Sequence, residues 1–218
     1  MKCSTIRARR RSPLAVIALC LAVAALPAGV LPRSALALGA SGGDTVRSLY
    51  DTLLTTMRNG PALGPRGRYA QIEPMIRRVF DIPFMTRLAV GPEWASLNET
   101  QRQQVSQAFQ RYITAIYAER FDSYSGERLQ VIGEQPSTGG TIITSQIVKS
   151  NGEPVNINYL VRQNGGIWQI ADVYLDGTIS ELATRRSEFA AILRAQGING
   201  LIETLNAKAN TLAAARAS

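Results

Sequence analysis

Histidine is absent from the 218 residues, and the two cysteines, Cys3 and Cys20, both fall within the first 37. Everything after Ala37 lacks both residue types. That excludes a Ser-His-Asp triad, a catalytic cysteine, a histidine-ligated metal, structural zinc and a disulfide framework. No cofactor is expected. Excess charge is missing too. The chain carries 24 Lys+Arg against 16 Asp+Glu. Lys2, Arg7, Arg9, Arg10, Arg11 and Arg33 precede Leu38 and no acid does, which leaves 18 basic against 16 acidic residues in the body. A body this close to neutral lacks the basic field that a nucleic-acid partner requires. Nor does any run of 18 apolar residues follow Leu38, so the body is not expected to span a membrane.

The first 37 residues have the organisation of an export signal. Arg7 to Arg11 form a positive n-region, and Pro13 to Leu26 is an apolar run of 14 residues. That is short of the ~20 a spanning helix needs. Ala35 and Ala37 supply an A-x-A cleavage site, which places the mature start near Leu38. An uncleaved anchor is the alternative. Leu19 stands where a lipoprotein would have a small residue before Cys20, which speaks against lipidation there. The bare Arg10-Arg11 pair does not distinguish between export routes. The expected organisation is a signal peptide over 1–37, one domain over 38–208, and a tail over 209–218. The tail is Ala-rich from Ala207 and is expected to fray. A mature chain of this size buries roughly 70% of its unfolded surface, which suits a single domain.

Helical periodicity dominates up to residue 122. Val46, Leu49, Tyr50, Leu53, Leu54 and Met57 recur at helical spacing behind Asp44, and Asn59-Gly60-Pro61 predicts a stop. A second helix is expected over 68–79. A short one follows, with Asp81 as N-cap, Met85 and Leu88 inward, and Gly91 as its close. Ser96-Leu97-Asn98-Glu99 has the spacing of a capping box and opens the longest helix, about 97–122. Its stripe is Val105, Phe109, Tyr112, Ile113, Ile116, Tyr117 and Phe121.

After Gly126 the period becomes two. Strands are expected over 128–134, 141–149, 154–163 and 167–176, joined by turns at 136–140, Asn151-Gly152 and Asn164-Gly165-Gly166. In the third, Val155, Ile157, Tyr159 and Val161 alternate with Asn156, Asn158 and Arg162, giving one apolar and one wet face. Asp176-Gly177 ends the sheet. A helix over 180–196 follows, with Gly197 after it, and Asn199 caps a final helix. The order predicts an α+β fold: a four-stranded curved antiparallel sheet with helices packed on one face, a shape able to enclose an apolar cavity.

Several segments together resemble the MlaC/Ttg2-type toluene-tolerance family. Gly166-Ile167-Trp168-Gln169-Ile170-Ala171-Asp172-Val173 is similar to its W-x-I-x-D-V strand. Leu193 to Ile202 (LRAQGINGLI) resembles its final helix junction. Phe80-Asp81, followed by Met85, Gly91 and Trp94, resembles its F-D…M…G…W segment. The likeness runs from about 44 to 208. Tyr117 to Phe121 and Tyr124-Ser125-Gly126 are closer to the hopanoid-associated branch (HpnM). Arg185-Arg186 stands where the family commonly has a Tyr-Arg pair.

The resemblance implies a periplasmic carrier that holds the acyl chains of a phospholipid or hopanoid and catalyses nothing. It implies exchange with an inner-membrane lipid transporter and, in one branch, with an outer-membrane lipoprotein complex. A monomer is expected. The physical case agrees, because each exposed CH₂ of a lipid tail costs about 0.8 kcal/mol in water. The expected lipid-binding surface combines Val155, Ile157, Tyr159 and Val161 with Phe109, Tyr112, Ile113, Ile116 and Tyr117, and adds Met85, Val173 and Leu175. Two rivals stand beside it. One is a small enzyme using Asp172 or Asp176 as base and Tyr159 as donor, which needs a carboxyl pointing into a cavity. The other is a solid-core interaction module of an export complex, which needs no cavity at all.

Overall fold

The computed structural model describes residues 41–214, so the expected signal peptide and its cleavage site lie outside the described residues. The chain runs as α1 (Gly42–Val79), α2 (Ile82–Val90), a 3₁₀ segment (Gly91–Ser96), α3 (Glu99–Arg120), β1 (Arg128–Ser137), β2 (Gly140–Val148), β3 (Pro154–Asn164), β4 (Ile167–Leu175), β5 (Ile179–Ser180) and α4 (Glu181–Ala214). The strands form one antiparallel meander in the order β1-β2-β3-β4-β5. The architecture is α+β, with a fifth strand beyond the four expected. β5 has only two residues, which pair with Tyr174 and Leu175. A segment that short has no period to read.

The helical stripes bury as their spacing requires. Val46, Leu49, Tyr50 and Leu53 are all 2% exposed or less. Ser41 caps α1 in a reciprocal box with Asp44. Asn59-Gly60-Pro61 does not end the helix. The break falls at Gly64, which takes φ 60 and ψ 178, a left-handed conformation that glycine alone adopts without strain. Gly60 instead serves a close approach, since a side chain there would collide with the Asp122 carbonyl. The α3 cap is also displaced from its expected place. Asn98, with Gln101, makes the reciprocal box, while the Ser96 hydroxyl donates to the Glu93 carbonyl at 2.8 Å. Asp81 caps α2 through Phe84 N, as expected.

β3 alternates as read: Ile157, Tyr159 and Val161 are buried, whereas Asn156 is exposed and Asn158 and Arg162 are partly exposed. Between Leu160 and Val161 the pairing with β4 skips Ala171, a β-bulge that leaves Ile170, Ala171, Asp172 and Val173 all buried. α4 breaks at Gly197 (φ 65), where a helix end was expected. The following helix does not fray at Ala207. Leu205 and Ala209 are buried and Leu212 packs on the core, so the apolar stripe holds the helix through Ala214.

Candidate functional site

Between the buried sheet face and the helices lies a cavity of about 310 Å³. β3 brings Val155, Ile157 and Tyr159 to its wall because alternate side chains of a strand share a face. β4 adds Val173 and Leu175, whose pairing with Tyr159 and Ile157 puts them on the same face. α3 presents Phe109, Ile113, Ile116, Tyr117 and Arg120 at spacings of three and four, one side of a helix. Met85 closes the wall from α2.

Ten of the twelve residues singled out in the sequence therefore line one connected space. Tyr112 and Val161 do not. Tyr112 is buried between α3 and α4, with the Arg185 guanidinium 5.5 Å and the Lys208 ammonium 5.7 Å from its ring centre. Val161 lies too far along β3 and packs against the start of α1, so tightly that only a glycine fits at position 42. Val161 keeps the right face of β3 and lies beyond the cavity along the strand, whereas Tyr112, level with Phe109 and Ile113, is turned around α3 toward α4.

Seven lining residues were not among the twelve expected to bind lipid: Phe80, Arg120, Phe121, Ile147, Glu181, Leu182 and Arg185. Arg120 and Phe121 continue the α3 stripe from Tyr117, and Ile147 faces Val155 across the β2–β3 pair. Those signals were present in the sequence. Glu181, Leu182 and Arg185 come from the start of α4, and only the tertiary fold brings them there.

The charged groups gather on one side. Arg120 and Glu181 both act electrostatically on the Tyr117 phenol. Glu181 is held by Arg185 at 3.0 Å, and Arg185 also binds Glu188 at 2.9 Å. The rest of the wall is aliphatic and aromatic. Within it, burial first, and then the neighbouring phenols of Tyr50 and Tyr117, push the Tyr159 hydroxyl well above the usual tyrosine range. Burial likewise raises Tyr117 and Tyr50. These phenols are neutral donors at any physiological pH. Tyr50 bonds Ser145 at 2.6 Å, and Ser145 in turn donates to the Ile157 carbonyl. With the serine proton spent on that carbonyl, Tyr50 is the donor of its pair.

Neither candidate catalytic aspartate lines this space. Asp172 spends one carboxylate oxygen on Val173 N and Leu182 N and the other on the Ser180 hydroxyl. Asp176 sits in the β4–β5 turn with φ 49. Among the described residues no cluster of carboxylates could hold a metal, and no helix is long and apolar enough to cross a membrane.

The fold is similar to that of the phospholipid-binding protein from Ralstonia solanacearum, solved in complex with a phospholipid. The two share 22% identity with a TM-score of 0.69, over 79% of this chain and 99% of that one. The family profile described as MlaC protein matches residues 47–207. With the match spanning every described element from the first turns of α1 into the last helix, the chain belongs to the MlaC family.

Proposed function

We propose that the protein is a periplasmic lipid carrier that takes up the acyl part of a phospholipid in the cavity between sheet and helices. The observation that carries this reading is the wall itself. Aliphatic and aromatic side chains enclose the space, and its one carboxylate, Glu181, is neutralised by Arg185. Burying about ten methylenes there is worth about 8 kcal/mol, enough to extract a lipid chain from water. No group in the wall is placed as a general base, so the cargo leaves unchanged. A cavity of this volume is also hard to reconcile with a solid-core module. The relative with a bound phospholipid favours that cargo over a hopanoid.

Carriage between membranes requires export, which the leader over residues 1–37 provides, and partners at each end. We assign these as an inner-membrane lipid transporter and an outer-membrane lipoprotein complex. Native mass spectrometry of protein purified from the periplasm tests the reading in one experiment. The expected spectrum shows a chain beginning near Leu38 with one phospholipid bound. A hopanoid mass would change the cargo. An intact N-terminus in the membrane fraction, or a protein that never carries lipid, would overturn the carrier.

A further inference from the structure

The cavity wall is ordered along α3. Arg120 stands at the helix end, Tyr117 one turn earlier, then Ile116 and Ile113, then Phe109, all on the cavity side. Charge, hydroxyl and hydrocarbon thus follow one another down a single helix face. Successive turns are about 5.4 Å apart. A glycerophospholipid has the same order, with phosphate, ester carbonyl and hydrocarbon chain. One glycerol unit separates its phosphate from its ester carbonyls, a span on the order of one helical turn, about 5 Å.

Two further observations fit an anion at the helix end. Arg120 has no carboxylate partner among the described residues, whereas its neighbour Glu181 is committed to Arg185. The C-terminus of a helix ordinarily repels anions. Here Arg68, 3% exposed and bonded only to carbonyls, places a buried positive charge on it. Its Nε donates to the Ala118 carbonyl at 2.8 Å and its Nη1 to the Gly60 carbonyl at 3.2 Å. That charge opposes the usual negative field at the end of α3, and Arg120 adds to it.

We propose that α3 reads an ester-linked glycerophospholipid by position: Arg120 pairs with the phosphodiester, Tyr117 donates to an ester carbonyl one turn deeper, and Ile116, Ile113 and Phe109 hold the chain. This rests on the carrier reading and adds selectivity to it. A purely apolar cavity would rank lipids by chain length alone. A phenol inside it favours a ligand that brings an acceptor to that depth, because a buried donor left unpaired costs free energy. Tyr159, beside Tyr117, lines the same region and is engaged with the Tyr50 and Tyr117 hydroxyls, which leaves Tyr117 as the donor that faces the cargo.

The test offers delipidated protein mixed vesicles of two phosphatidylcholines with equal chains, one ester-linked and one ether-linked, the latter lacking the carbonyls. Bound lipid is then counted by mass spectrometry. The wild-type protein is expected to load the ester form about three- to tenfold in excess. Tyr117→Phe should bring that ratio close to one, because the phenol that discriminates between the two lipids is gone. Arg120→Gln should keep the ester preference but reduce the excess of phosphatidylcholine over a diacylglycerol of the same chains. Equal loading of ester and ether lipid by the wild type would overturn the proposal and leave the carrier standing. So would an ester preference that survives Tyr117→Phe. Failure of the wild type to load either lipid would overturn the carrier reading, and this one with it.

Discussion

Asp172 and Leu182 are joined at the start of α4 by a 3.1 Å hydrogen bond from the Leu182 N–H to the Asp172 carboxylate. The same carboxylate accepts from Val173 N at 2.7 Å and from the Ser180 hydroxyl at 2.6 Å, and Ser180 caps Ala183 N at 2.9 Å. Two side chains thus satisfy the opening N–H groups of a helix that supplies Glu181, Leu182 and Arg185 to the cavity. An aspartate in the family-like strand is therefore an anchor for α4.

Replacing Asp172 should consequently act on stability. Asp172→Ala removes three hydrogen bonds to a charged acceptor and is expected to cost about 2–4 kcal/mol, read as a lower urea midpoint. Asp172→Asn keeps one acceptor oxygen and should cost roughly half as much. Folded Asp172→Asn protein should still carry lipid. Loss of lipid with unchanged stability would mean that Asp172 acts on the cargo itself.

Much of this arrangement is legible in the sequence where one element suffices to decide it. The two-residue period of Val155, Ile157, Tyr159 and Val161 sets the buried face of β3, and the spacing of Phe109, Ile113, Ile116 and Tyr117 sets that of α3. Where along an element the cavity begins and ends depends on its neighbours. That is why Val161 falls outside it and why the first residues of α4 were not anticipated, while Tyr112, level with Phe109 and Ile113, is drawn aside by α4. Helix ends were misread for a similar reason. Gly60 looks like a stop until the Asp122 carbonyl is seen to rest on it. At 96–99 two candidate caps compete, and only the structure shows that Ser96 is engaged with Glu93.

Stability should be insensitive to pH over an unusually wide range. The body has no histidine or cysteine to titrate between about pH 5 and 9. Tyr50, Tyr117 and Tyr159 are all raised above 10.0 by burial. A raised value means that the folded state holds its protons more tightly than the unfolded one. That stabilisation is fully present below pH 10 and is lost as the pH climbs toward the folded-state values. Urea midpoints measured from pH 6 to 11 should therefore be flat and then fall above about pH 10. Phenolate absorbance should rise early for exposed tyrosines and late, with unfolding, for these three. An early drop near pH 7 would contradict the assignment.

Arg68 holds two helix ends together, and its removal should be felt at the cavity through α3. Arg68→Leu leaves the Gly60 and Ala118 carbonyls without their donor and is expected to cost about 2–4 kcal/mol. Gly60→Ala poses a sharper question of sign. In an open helix the change would stabilise by about 0.5–1 kcal/mol. Here the new methyl meets the Asp122 backbone carbonyl, which has no flexible end to move aside. The collision should win, with a net loss above about 3 kcal/mol in chemical denaturation. A neutral or stabilising Gly60→Ala would show that the 121–123 segment yields freely.

The last prediction separates apolar burial from charge as the source of affinity. Ile157 is 8% exposed and faces the cavity from the middle of β3. Ile157→Trp directs its extra bulk into empty space, so the fold should lose no more than about 1–3 kcal/mol. Displacing even two methylenes of a bound chain weakens binding by about 1.6 kcal/mol, more than tenfold. Arg185→Ala is not a surface change, because the side chain is only 14% exposed and bridges Glu181 and Glu188 against the Tyr112 ring. Its loss should cost about 1 kcal/mol and alter docking or head-group preference, while the apolar wall keeps the lipid. Thermal unfolding and bound lipid by mass spectrometry, measured on both variants, decide the matter. Full lipid load in Ile157→Trp, or complete loss of lipid in Arg185→Ala, would place the binding energy at the charged rim and not on the apolar wall.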